Sequence, residues 1–180
     1  LKVVLEHERL YEQAHAMLMQ AIRAEDENVI GLLLSECDFA ADALEDKRYS
    51  VLTLAVLSIN SAIVEMLIKA RKFNLNLVDG YGQSPLWIAV FYGYTDIVKL
   101  LLDTETIDVN IRPGSEPFPS ILWWAAKEPD QTTFKILLAC GRVHLDVTNA
   151  DGESLLLWAV RTNNETIVEI LLELGKFDIH

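Results

Sequence analysis

The sequence predicts an all-α solenoid of stacked helix-turn-helix units joined by short turn or hairpin loops. The chain resembles itself about every 34 residues, and each copy holds two short stretches with helical apolar spacing. Composition agrees: 51% hydrophobic and 23% charged residues in 180 describe a globular chain able to bury a core.

At an offset of 34, Ser50, Leu52, Ala55, Val56, Ile63, Val64 and Leu67 fall on Ser84, Leu86, Ala89, Val90, Ile97, Val98 and Leu101, and Asn76 falls on Asn110. One step back, Leu18, Ala21, Ile22, Val29, Ile30 and Leu33 continue the set, with Phe39 under Phe73. Forward, Ser120, Leu122, Ala125, Phe134, Leu137 and Leu138 match at 36, the two extra residues lying in "RPGSEPFPS". The last copy, from Gly152 and Ser154 to Leu171 and Leu172, lies 70 positions from its counterparts beginning at Gly82. The expected units are about 11–44, 45–78, 79–112, 113–148 and 149–180, with 1–10 as an N-terminal capping or linker helix.

Taken in order, "LKVVLEHERLYEQAHAML" reads as a helix that caps the array or joins an upstream domain. The first unit is the most degenerate, with Ala16 where the others carry Ser. The second reads "SVLTLAV" then "IVEMLI". The third is the clearest. "DGYG" is a turn in which Asp79 bonds nearby backbone and Gly82 takes positive φ. Ser84 is the N-cap, and Pro85 stands at the first helical position, where a missing N–H costs nothing. Gly93 and Tyr94 form the break before "TDIVKLLLDT". The fourth unit reads "SILWWAA" and "FKILL", and the fifth "SLLLWAV" and "IVEILL".

These motifs resemble the ankyrin repeat, whose unit opens "DxxGxTPLHxAA", continues "IVxxLL" and closes "DVN". "DGYGQSPLWIAV", "IVKLLL" and Asp108–Asn110 match almost throughout, while "NLN", "DVT" and "DIH" close other units. The resemblance covers about Tyr11 to His180. The family's His is replaced by Thr53, Trp87, Trp123 and Leu157, so its hydrogen bonds across the turns are expected to be missing. The break Gly becomes Ile59, Pro129 and Asn163. A less regular and less stable array than a consensus one is expected.

The resemblance implies a non-catalytic module that binds a partner protein through a concave face. The alternative is a structural or regulatory segment of a larger multidomain enzyme or signalling protein. Turn tips and first-helix ends map that face to Tyr49, Leu57, Ser58, Tyr81, Gln83, Phe91, Tyr92, Lys127, Glu128, Glu153, Arg161 and Thr162. Two readings of Tyr81, Phe91 and Tyr92 stay open, interface anchors or packing against adjacent repeats, with Tyr92 the one expected at the surface. Phe118, in the proline-stiffened "RPGSEPFPS", either anchors a partner or tucks onto a neighbouring repeat. Trp87, Trp123, Trp124 and Trp158 are expected to pack between repeats rather than form a ligand cage. Asn76 and Asn110 occupy the family's asparagine-hydroxylation position, although a plain turn-forming role is the simpler expectation.

A net charge of −12 argues against nucleic acid or an anionic membrane as partner. A protein with a basic surface fits, although acidity also serves solubility. His7, His15, His144 and His180 lack metal-ligand spacing, and no GxSxG, GxGxxG or phosphate-binding loop occurs, so no catalytic, cofactor or metal site is expected. Cys37 and Cys140 read as small buried thiols in a reducing compartment. No signal peptide is recognisable, and the apolar Val51–Val64 is too short to span a bilayer. An intracellular location, cytoplasmic or nuclear, is expected. The chain starts at Leu1, and its last helix pair lacks a polar cap, so further repeats or another domain are expected in the native chain.

Overall fold

The computed structural model describes residues 2–39, 44–45, 49–111, 120–149 and 151–175, with side chains from residue 11 onward except at Leu44 and Glu45. Helices run in pairs: α1 (Lys2–Arg23) with α2 (Glu27–Glu36), α3 (Val51–Leu57) with α4 (Ser61–Ala70), α5 (Pro85–Phe91) with α6 (Thr95–Leu102). They continue with α7 (Ile121–Lys127) and α8 (Thr132–Ala139), then α9 (Leu155–Arg161) and α10 (Glu165–Glu173). Two short strands, β1 (Leu44–Glu45) and β2 (Tyr49–Ser50), pair antiparallel with Leu44 opposite Ser50. An isolated bridge between Thr148 and Ser154 marks the corresponding turn of the last unit.

Serine starts the first helix of every unit but one. The Oγ atoms of Ser50, Ser84, Ser120 and Ser154 accept from the backbone N–H of Thr53, Trp87, Trp123 and Leu157 at 3.0, 3.1, 3.4 and 3.3 Å. Such a cap contributes about 1 kcal/mol. In the first unit the counterpart is Ala16, which offers no cap and favours helix. There α1 passes through that point without interruption, from Lys2 to Arg23.

The breaks between paired helices need a left-handed residue. Gly93 supplies it at φ 71°, and so do Glu25, Ile59 and Asn163 at φ 53°, 60° and 55°. The reversal lets the next N–H reach back, as from Tyr94 to the Ala89 carbonyl at 2.8 Å. Ile59 is the strained member, because a β-branched residue resists positive φ. At Pro129 the pattern fails: φ is locked by the ring, and Glu128 before it is extended at φ −67°, ψ 139°.

The units share one continuous core from Leu18 to Leu171. Ala55, Ala89, Ala125 and Ala159 are fully buried where first helices pack closely, and larger Ile, Val and Leu fill the layers between. Cys37 and Cys140 are free but half-buried, more open than their composition-based reading as buried thiols.

Side-chain amides stitch neighbouring units. Asn76 Nδ2 donates to the Thr106 carbonyl at 2.8 Å, and its Oδ1 accepts from Asp108 N–H at 2.7 Å. Asn110 repeats this with the Arg142 carbonyl and His144 N–H, both at 2.9 Å. The next position in register is Asp146, not Thr148. The turn three residues on confirms it: Asn149 Oδ1 accepts from Asp151 and Glu153 N–H just as Asp79 Oδ1 accepts from Tyr81 and Gln83 N–H. The "DVT" resemblance is therefore out of register with the Asn it was matched to.

A second correction concerns the replaced histidines. Trp123 Nε1 donates to the Val147 carbonyl at 3.2 Å, a buried bond between turn and helix. An indole supplies the cross-turn bond expected to be absent there.

Candidate partner-binding surface

The surface grows from α5. Ser84 and Pro85 fix its start, which buries Trp87 and brings Phe91 one turn later onto the same side. The Trp87 and Phe91 rings stack at 4.9 Å and 20°. Phe91 also stacks on Trp124 of α7 at 4.7 Å and 25°, so three rings join the third and fourth units.

This stack continues outward. Tyr92 meets the Phe91 edge at 5.0 Å and 85°, and lies parallel to Tyr94 at 5.5 Å and 16°. Gly93, at positive φ, reverses the chain between the two tyrosines so that both rings fall on one side. The series begins at a buried indole and ends at Tyr92, which is 54% exposed; Tyr81, on the turn tip, is 59% exposed. Each aromatic pair contributes about 0.5–1.5 kcal/mol beyond burial, so an exposed ring at the end of a packed series is held in place before any ligand arrives.

The two open readings of the central aromatics divide by residue. Phe91 packs between repeats, whereas Tyr92 and Tyr81 present their rings to solvent. Trp87 and Trp123 are buried, and Trp123 meets Trp158 of α9 at 5.4 Å. Trp124 packs between repeats, as the sequence leads one to expect. Sequence reasoning missed one participant, Tyr94, which it placed only in the break. The Tyr-Gly-Tyr spacing across a left-handed residue was the available signal for Tyr94.

The other mapped positions are spread from β2 to the end of α9. Tyr49, in β2, and Leu57 are half-buried, and Ser58 Oγ donates to the Ala55 carbonyl at 2.8 Å. Gln83 is half-buried beside Tyr81. Lys127 lies exposed, its Nζ 6.0 Å from the Trp123 ring centre, and Glu128 is half-buried. Glu153 and Arg161 are brought together: Arg161 Nε and Nη2 donate to the two Glu153 carboxylate oxygens at 2.7 and 3.0 Å. The Arg161 hydrogen bond holds the Glu153 carboxyl below the ordinary glutamate range. Thr162 is exposed, its hydroxyl donating to the Trp158 carbonyl at 2.8 Å. Phe118 lies outside the described residues.

Among the described residues, no helix is long and apolar enough to cross a membrane. No curated protein sequence matches this chain. A solved structure, that of EF0377, an ankyrin repeat protein, is similar with a TM-score of 0.74 and 25% identity, over 88% of this chain and 81% of that one. The model of the family described as ankyrin repeats (three copies) matches residues 18–113. The helix pairs, their serine starts and this match over more than half the chain agree: the chain belongs to the ankyrin repeat family.

Proposed function

We propose that this chain binds a partner protein through the face that carries Tyr81, Phe91 and Tyr92, without catalysing a reaction. Ankyrin repeats are generally protein–protein interaction modules, and their fold is typically non-catalytic. The observation that carries the reading is the exposure of Tyr92 at the end of the packed series Trp87, Phe91 and Trp124. Aromatic anchors that lose little freedom on binding dominate interface energetics. The acidic chain favours a partner with a basic surface.

A photo-crosslinking residue at position 81 or 92 tests this. Discrete adducts with a cellular protein are expected from these positions and not from Lys135, an exposed residue of α8. Equal adducts from position 135, or none from either tyrosine position, would overturn the reading.

A second reading, a structural or regulatory segment of a larger multidomain protein, is supported by Leu157 and Val160. Each is 57% exposed, whereas their counterparts Trp123 and Ala126 are buried beneath the following unit.

A further inference from the structure

Two unit junctions are closed by a basic side chain. Arg142 donates from Nη2 to the Leu102 carbonyl at 2.6 Å, and from Nη1 to the carbonyls of Ile107 and Glu105 at 3.0 and 3.4 Å. Lys72 Nζ donates to the Cys37 carbonyl at 2.7 Å. These carbonyls lie at the C-terminal ends of α6 and α2 or just beyond, where unsatisfied acceptors and the helix dipole favour a cation.

The junction between the second and third units lacks that residue. Thirty-four positions after Lys72 and thirty-six before Arg142 stands Thr106, too short to reach. The Arg142 acceptors, carried back by 34 positions, are Ile68, Arg71 and Phe73. All three line one cleft of ≈ 800 Å³, together with Asp103, Glu105 and Thr106.

We propose that this cleft receives the guanidinium of an arginine side chain presented by a partner protein. The Arg71 and Phe73 carbonyls, in register with two that Arg142 engages, accept no backbone N–H among the described residues, while the Ile68 carbonyl already accepts from Arg71 N–H at 3.2 Å. A planar fork of donors suits several diverging carbonyls better than an ammonium does. Asp103 and Glu105, both exposed, add negative charge at its rim. Arg71, also exposed, is the cation already present, and its side chain makes no hydrogen bond or ion pair among the described residues. The cleft is larger than one guanidinium, which leaves room for the aliphatic stem and flanking peptide. None of Tyr81, Phe91 and Tyr92 lines this cleft, so either proposal can fail alone.

The test is an NMR titration of the whole chain with a short capped peptide carrying one arginine, and with the same peptide carrying citrulline, its neutral isostere. Saturable shifts are expected in amides of 68–76 and 103–107, weaker by about tenfold or more for citrulline. Thr106→Arg should abolish them and raise the melting temperature, because the chain then fills its own cleft as it does at Arg142. Asp103→Asn with Glu105→Gln, at exposed positions, should weaken the arginine peptide while leaving the fold unchanged. The proposal is overturned by equal shifts with citrulline, by the absence of saturable shifts, or by arginine binding that persists in Thr106→Arg.

Discussion

The indole N–H of Trp123 donates to the Val147 carbonyl at 3.2 Å, whereas the buried Nε1 of its neighbour Trp124 has no acceptor among the described residues. Two adjacent tryptophans on one helix thus have different roles. Trp123 ties a helix to the following turn, and Trp124 supplies ring area to the aromatic stack. Removing the N–H from each separates those roles. Trp123→Phe leaves a buried carbonyl unpaired and should cost about 1–3 kcal/mol more than Trp124→Phe in urea unfolding. Equal losses would show that the hydrogen bond contributes nothing beyond ring size.

Ile59 is a solvent-exposed β-branched residue at φ 60°. Its side chain is 60% exposed, so removal gives up little packing. Ile59→Gly should therefore stabilise the chain by about 0.5–1 kcal/mol, the left-handed strain relieved exceeding the added chain entropy. The melting temperature measures it, and a decrease would contradict the account.

Asn110 offers one donor and one acceptor to two backbone groups of the next unit. Asn110→Ala should cost about 1–3 kcal/mol. Asn110→Asp should not rescue it, since the carboxylate keeps the acceptor for His144 but turns a second oxygen toward the Arg142 carbonyl. Chemical unfolding of the three proteins, compared at neutral pH, decides this.

The Glu153 carboxyl is lowered in the folded chain by its hydrogen bonds to Arg161, with Asn149 Nδ2 adding a third at 3.1 Å. A carboxyl with a depressed folded pKa stabilises fully above its unfolded value, and that stabilisation disappears as pH falls through the folded one. The melting temperature of the native chain should exceed that of Glu153→Gln at neutral pH. The gap should close in acid, below the ordinary glutamate range. A gap independent of pH would contradict the ion-pair assignment.

The helix pairs were legible because two devices recur in register: a capping Ser before the first helix of every unit but the first, and apolar residues at helical spacing. What failed to read depended on tertiary geometry. Asp146–Thr148 looked like the "DVN" turn in letters, but the hydrogen bonds of Asn76, Asn110 and Asn149 put Asp146, not Thr148, in register. Replacement of histidine by tryptophan seemed to remove a donor, yet the longer indole reaches a carbonyl from the same position. Tyr94 joined the aromatic series because Gly93 folds it back beside Tyr92, a consequence of one left-handed residue that letters alone do not convey.

The central proposal, a rigid aromatic surface that binds protein, is tested most directly by Tyr92→Ala against the crosslinked partner. Affinity and stability are measured on the same preparations. Because Tyr92 lies half in solvent, its loss should weaken binding by about 1 kcal/mol or more and change folding stability by less. Unchanged affinity with lowered stability would show that Tyr92 serves the stack alone.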